Sequence, residues 1–272
     1  MGSRVLIYRR GGLGDTLLTF PVAEIFKNLG YEVHFAGNTD YLPLGEEAGF
    51  IDRGFSDIPP LGGYEKIVLI SAKPFVDDPR VVWIRPFPPQ REHITEYYLK
   101  SLGFKDFRYS EVLPIKGLPL WENRIVLHPG SGSPKKNAPL ELFKEVYLHL
   151  EEDGEKPLFA LGEAEYHLAE ELKSFDVYPV GGIRKFAKLL KGAKGFLGND
   201  SGFTHLAGYL GVRTVALFGP TDPLVWRPLG PKVEVLYKNL PCSPCFPAEC
   251  TAFPPKGCLI FPPERIVEKL LF

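Results

Sequence analysis

Three short stretches of the chain join small residues to groups that can move a proton or grip an anion. The first is Arg9-Arg10-Gly11-Gly12-Leu13-Gly14-Asp15-Thr16, lying between the apolar run Val5-Leu6-Ile7-Tyr8 and a helical pattern. Glycines at a strand-to-helix turn let the backbone approach a ligand and expose N–H groups to it. A dinucleotide fingerprint would need glycine at position 17, where the chain has Leu17, and no Gly-Lys-Ser/Thr follows, so neither nucleotide motif is met. On local evidence Asp15 has two readings, a helix N-cap or a carboxylate acting as general base.

The second stretch is His128-Pro129-Gly130-Ser131-Gly132-Ser133-Pro134-Lys135-Lys136-Asn137-Ala138-Pro139, again after an apolar run. Backbone donors, hydroxyls and two ammonium groups together suit a phosphate; a solvated loop with surface lysines is the plainer alternative. Pro139 is expected at the first position of the following helix. In the third stretch, Gly198-Asn199-Asp200-Ser201-Gly202-Phe203-Thr204-His205, a buried-type strand ends in Asn-Asp-Ser-Gly and opens a helix. The N-terminus of a helix favours an anion through its free N–H groups and dipole. Asp200 sits at the mouth of that helix and His205 one turn inside it. Singly they read as a cap and a core histidine; with Phe218-Gly219-Pro220-Thr221-Asp222-Pro223 after the next strand they read as one ligand-binding edge.

Two further clusters carry charge or thiols. Arg184, Lys185, Lys188, Lys191 and Lys194 recur at helical spacing and read as a solvated helix face. Cys242, Cys245, Cys250 and Cys258 lie in a proline-rich segment, 241–258, read as a rigid structural loop. Their spacing leaves open a structural zinc site, two disulfides or four free thiols.

The elements that must position these residues follow from alternation of short apolar runs with helical patterns, the mark of parallel α/β layering. Strands are expected at 5–8, 31–36, 67–70 and 81–84, with helices over 15–29 and 93–102. A looser stretch, 104–123, contains Pro114, Gly117 and Pro119 and reads as a linker. The alternation restarts with strands at 124–128, 157–161, 195–198 and 214–218. Helices are expected over 139–151, 163–173, 183–191, 203–210 and 264–271. The 272 residues thus divide into two domains, 1–120 and 121–260, with a terminal helix in 261–272. With 32 Lys+Arg against 33 Asp+Glu, no global field draws the chain to nucleic acid. No apolar run approaches the roughly 18 residues of a membrane span, and the start is too short in apolar residues for a signal peptide, so a soluble, cytoplasmic protein is expected.

The segments Gly14-Asp15-Thr16-Leu17-Leu18-Thr19-Phe20-Pro21, His128 to Gly132, Gly198 to Ala207 and Leu217 to Pro223 together resemble glycosyltransferase family nine, the ADP-heptose:lipopolysaccharide heptosyltransferases. The resemblance implies a GT-B fold: two Rossmann-like α/β domains facing across a cleft, with the last helix packing back on the N-terminal domain. It implies inverting transfer of heptose from ADP-heptose to a hydroxyl of the lipopolysaccharide inner core, with no cofactor or metal required. The catalytic base of the family falls on Asp15, and the acceptor-side loop on Arg9, Arg10, Gly12 and Gly14. Donor binding falls on Ser131, Gly132, Lys136, Glu165, Asn199, Asp200, Ser201, Gly202 and His205. Where family members often carry Lys-x-Trp-Pro, this chain has Lys136-Asn137-Ala138-Pro139. The implied partners are a nucleotide-sugar and a lipid-linked oligosaccharide, met by peripheral contact at the inner face of the inner membrane. Transfer from another nucleotide-sugar, or to another acceptor, and a non-catalytic nucleotide-sugar-binding protein are the alternatives.

Overall fold

A computed structural model describes residues 2–245, 250 and 255–272. The chain divides into two compact units, Met1–Ile115 and Lys116–Phe272, so the division falls five residues before the expected boundary at 120. Residues 246–249 and 251–254 of the cysteine loop lie outside the described part.

The first unit runs β1 (Arg4–Arg9), α1 (Leu13–Leu17), α2 (Phe20–Asn28), β2 (Glu32–Gly37), α3 (Leu42–Glu47), β3 (Arg53–Phe55), β4 (Lys66–Ile70), β5 (Val81–Ile84) and α4 (Ile94–Ser101). Its five strands are all parallel, in the order β3-β2-β1-β4-β5. The central strand β1 has Val5, Leu6 and Ile7 fully buried, as a strand covered on both faces must. The single helix expected over 15–29 is instead two, α1 and α2, broken at Leu18 and Thr19. Pro21 explains the break, because a proline has no N–H to donate and its ring collides with the carbonyl four residues earlier, that of Leu17.

The second unit runs β6 (Arg124–His128), α5 (Leu140–Glu152), β7 (Lys156–Leu161), β8 (Val177–Pro179), α6 (Ile183–Lys191), β9 (Gly195–Asn199), α7 (Gly202–Tyr209), β10 (Thr214–Phe218), α8 (Pro223–Trp226), β11 (Val233–Tyr237) and α9 (Pro263–Leu271). Its six parallel strands are ordered β11-β10-β9-β6-β7-β8. Counted within the unit this is the Rossmann order, and it reverses between β6 and β9. Ligands of open α/β sheets bind beyond the carboxyl ends of the strands at such a reversal. The helix expected over 163–173 is a 3-10 segment, Glu163–Leu168, followed by turns. Pro139 is the N-cap of α5 rather than its first helical residue.

The last helix contributes to the second unit's core. Ile266, Val267 and Leu270 of α9 are buried in the second unit's own core with Leu142, Val146 and Leu150 of α5. Its apolar face is therefore used within the second unit, to which α9 belongs. On α6, Arg184 and Lys185 are exposed as a solvated face requires, but Lys191 is half-buried and donates to Leu210 O at 2.6 Å.

Candidate functional site

In the first unit the chain leaves β1 through Arg10, Gly11 and Gly12 and enters α1. Gly12, not Asp15, is the N-cap. Asp15 is the third residue of the helix, and its Oδ2 accepts a hydrogen bond from Gly12 N–H at 3.0 Å. Its other oxygen, Oδ1, accepts from Arg9 Nη2 at 2.5 Å. The carboxylate folds back over Gly11, where a Cβ would lie 2.6 Å from Oδ2, so a residue with a side chain at 11 would displace it. Arg9 is nearly buried, while the Asp15 side chain keeps about a third of its surface exposed (32%). The arrangement presents an oriented carboxylate, gripped from behind and open in front. Gly14 immediately precedes it, and Arg10 lies five residues earlier.

In the second unit the loops after β6, β9 and β10 converge at the strand-order reversal. Asp200, buried just beyond β9, accepts from Thr221 Oγ1 at 2.8 Å and from Lys136 Nζ at 3.2 Å, both on Oδ2. His205 Nε2 lies 3.6 Å from its Oδ1. Burial alone would raise the affinity of the Asp200 carboxyl for a proton. His205, Lys136 and Thr221 outweigh that effect and hold it below the usual carboxylate value, so Asp200 is an anion. His205 Nδ1 is buried with no hydrogen-bond partner among the described residues.

Asn199, expected to be a donor-binding residue, is bonded within the protein. It is fully buried, its Nδ2 donates to Pro129 O at 2.8 Å and Gly130 O at 3.4 Å, and its Oδ1 accepts from Ala138 N–H at 2.9 Å. Its amide is spent fastening the 129–138 loop to β9. Ser201 is the N-cap of α7: its Oγ accepts from Thr204 N–H and lies 3.0 Å from Thr204 Oγ1, which donates to Asn199 O. Gly202 begins the helix, whose first-turn N–H groups have no helical partner. Ser131 Oγ lies 2.8 Å from Ser133 O and 2.5 Å from Asn137 Oδ1, closing the loop on itself, while Gly132 is exposed at its tip.

Glu165 and His128 are both buried, with Glu165 packed against Gly130. Glu165 Oε2 accepts from Gly162 N–H at 3.1 Å. His128 Nδ1–H donates to Ala160 O at 3.0 Å, and its ring centroid is 4.7 Å from that of Phe203. Burial lowers the proton affinity of His128 by more than the Glu165 charge restores, so the imidazole is neutral and Nε2 carries its lone pair. Gly130 makes room for Glu165: a Cβ there would meet Oε1 at 2.1 Å and Cγ at 2.3 Å. Gly130→Ala should therefore cost about 1–3 kcal/mol through overpacking. Gly132→Ala faces open space and should stay within about 0.5 kcal/mol of the parent. Chemical denaturation of both variants checks this; equal stabilities would remove Glu165 from its place against Gly130.

Thr221 and Lys256 complete the second-unit site. Lys256 Nζ donates to Pro134 O at 2.7 Å and to Asn137 O at 3.4 Å, pinning the turn that carries Lys136. It reaches the turn from the cysteine segment, where Cys245 N–H donates to Pro220 O at 2.7 Å and Ser243 Oγ to Gly219 O at 3.3 Å. Gly219 admits this packing, since a Cβ there would lie 2.9 Å from Cys258 Sγ. Burial pushes the proton affinity of Cys245 and Cys258 up. Among the described residues no group of three or more His, Cys, Asp or Glu side chains is placed to hold a metal ion.

Two all-parallel Rossmann-like units, with a buried anion–cation cluster at the strand reversal of the second, define an α/β protein of the GT-B class. The chain belongs to glycosyltransferase family 9 (heptosyltransferase), whose family model matches residues 100–254. Over 87 residues, 32% of the chain and 24% of the relative, it is 38% identical to lipopolysaccharide heptosyltransferase 1 of Pseudomonas aeruginosa. Over 182 residues, 61% of the chain and 57% of the relative, it is 26% identical to lipooligosaccharide heptosyltransferase 2 of Campylobacter jejuni subsp. jejuni serotype O:6. Each match thus spans less than two thirds of the curated relative. The fold is similar to that of the Escherichia coli ADP-heptose lps heptosyltransferase II, with a TM-score of 0.78 at 15% identity over 98% of this chain and 97% of that one.

Proposed function

We propose that the protein transfers heptose from ADP-heptose to a hydroxyl of a lipopolysaccharide inner core, with inversion at the anomeric carbon. The observation that carries this reading is the Asp200–Lys136–Thr221–His205 cluster at the strand reversal of a family 9 chain. Asp15 deprotonates the acceptor hydroxyl as its oxygen attacks the anomeric carbon opposite the diphosphate. The carbon–oxygen bond to the diphosphate breaks, and the leaving group takes the electron pair. Lys136, the 130–133 loop and the open end of α7 at Ser201 and Gly202 stabilise that growing charge. Asp200 holds Lys136 in place and accepts from donor sugar hydroxyls, with His205 beside it. Glu165 takes ribose hydroxyls. No metal takes part in this chemical step.

Among the described residues no helix is long and apolar enough to cross a membrane. The lipid-linked acceptor is met by peripheral contact at the inner face of the inner membrane, and the protein is cytoplasmic. Calorimetry with ADP, UDP, GDP and ADP-heptose tests the donor assignment: ADP and ADP-heptose should bind, and UDP and GDP should bind at least about tenfold more weakly. Preference for UDP or GDP would assign another sugar donor, and binding of none would overturn the donor site.

A further inference from the structure

Arg9 is a buried cation, and its own bonds do not account for where it sits. Nη2 donates to Asp15 Oδ1 at 2.5 Å and Nη1 to Arg10 O at 3.0 Å, but Nε is buried with no hydrogen-bond partner among the described residues. An orphaned buried N–H costs stability, so the surroundings of this guanidinium, not the best solvation of its donors, dictate its place.

Those surroundings include α4. The helix buries four side chains, Ile94, Thr95, Tyr98 and Leu99, and the two polar ones both reach the elements that carry Asp15. Thr95 and Tyr98, three residues apart, share one helix face. Thr95 Oγ1 donates to Leu18 O at 2.8 Å and so clamps α4 to the break between α1 and α2. The break is also held from within, where Thr19 Oγ1 donates to Asp15 O at 2.8 Å. Tyr98 brings its hydroxyl to the Arg9 guanidinium, which acts as a donor toward the phenol oxygen, and the Asp15 charge is felt there too. Burial pushes the proton affinity of this phenol up, so it is a neutral hydroxyl. Its O–H points to Pro86 O at 3.4 Å, which leaves the oxygen lone pairs to face Arg9. A pocket that needed only filling would take phenylalanine as well; the hydroxyl has Arg9 to act on.

We propose that Tyr98 and Arg9 are positioning residues for the acceptor-side base: Tyr98 fixes the Arg9 guanidinium, and Arg9 holds Asp15 by Oδ1 with the open side of the carboxylate toward the reacting hydroxyl. The assignment rests on the reading of Asp15 as that base. Neither Arg9 nor Tyr98 gains or loses a proton in the step. Their effect is on aim, and a reacting group misplaced by about 1 Å loses on the order of 10²-fold in rate.

The test is steady-state heptose transfer by the parent, Tyr98→Phe, Arg9→Met and Arg9→Lys, with the first two substitutions also placed in Asp15→Asn. Tyr98→Phe should lower kcat about tenfold and Arg9→Met about 10–100-fold, each with KM for ADP-heptose within about twofold of the parent. Arg9→Lys keeps the charge but not the planar fork, and should recover part of the loss. In Asp15→Asn neither substitution should lower kcat further, because no carboxylate is left to aim. A merely structural role would multiply the loss in both backgrounds. That outcome, or a parental kcat in Tyr98→Phe, overturns the proposal. NMR of the Arg9 side chain supplies a readout that needs no turnover. Its Nη–H signals should be separate in the parent and averaged by rotation in Tyr98→Phe and Asp15→Asn; averaging in the parent also overturns the proposal. A parent that transfers no heptose strikes the enzyme reading, while the Arg9 signals still decide whether Tyr98 and Arg9 fix the carboxylate.

Discussion

Asp15→Asn should lower heptose transfer about 10²–10⁴-fold while leaving ADP affinity unchanged. Asparagine keeps the shape of the side chain, and its Oδ1 can still accept from Gly12 N–H, the bond that seats Asp15 at the start of α1. What it loses is the ability to accept a proton and the ion pair with Arg9. That pair is a third exposed on the carboxylate side, so its loss costs little stability, about 0–1 kcal/mol. The expected signature is a fallen kcat in a protein that melts within a few degrees of the parent. Transfer that survives with weakened ADP binding would reverse the roles given to Asp15 and to the second unit.

Asp200→Asn should act on stability and on nucleotide binding together. The substitution removes the buried charge that Lys136 and His205 face and that Thr221 bonds. Breaking a buried pair from one side commonly costs 3–5 kcal/mol, but Lys136 is one-fifth exposed and can turn to water, so about 2–3 kcal/mol is expected near pH 7. The pH dependence follows from the depressed proton affinity of Asp200. Its contribution is fully present above the unfolded-state value near 3.8 and is lost as pH falls through the lower folded-state value. Parent and variant should therefore differ in urea unfolding at pH 7 and converge in strong acid. A gap that persists in acid, or none at neutral pH, would show that Asp200 is not held as an anion. ADP affinity should fall in the variant at neutral pH, because Lys136 loses its anchor.

Where the sequence spoke plainly, burial was the reason. The central strands β1, β6, β9 and β10 are covered on both faces, so they read as unbroken apolar runs and were placed within a residue or two. The edge strands β3, β8 and β11 carry no such run. Arg53-Gly54-Phe55 and Val177-Tyr178-Pro179 are only three residues long, and β11 alternates Glu234 with apolar neighbours. Edge strands tolerate such residues, including a proline, because one side of their backbone has no strand to bond. The functional segments were legible because small residues cluster where backbone must come close: Gly11 beneath Asp15, Gly130 beneath Glu165. The work done by Asn199 was not. An asparagine after a strand looks the same whether its amide faces a ligand or, as here, ties down a loop about 60–70 residues away. Lys256 was equally silent, since its grip on Pro134 O spans 122 positions.

The register of β6 against β9 carries a consequence for how this protein acquires its site. His128 pairs with Gly198, across 70 residues of intervening chain, and the loops that follow these two strands form the Asp200–Lys136 cluster. Thr221 and Lys256 then join from still later in the sequence. Such non-local pairing is slow because loop-closure entropy is spent before any contact repays it. During synthesis, then, Lys136 is made well before the aspartate it bonds. The cluster is complete only when the distal third of the chain has docked, so a ligand that recognises all of it recognises completed folding.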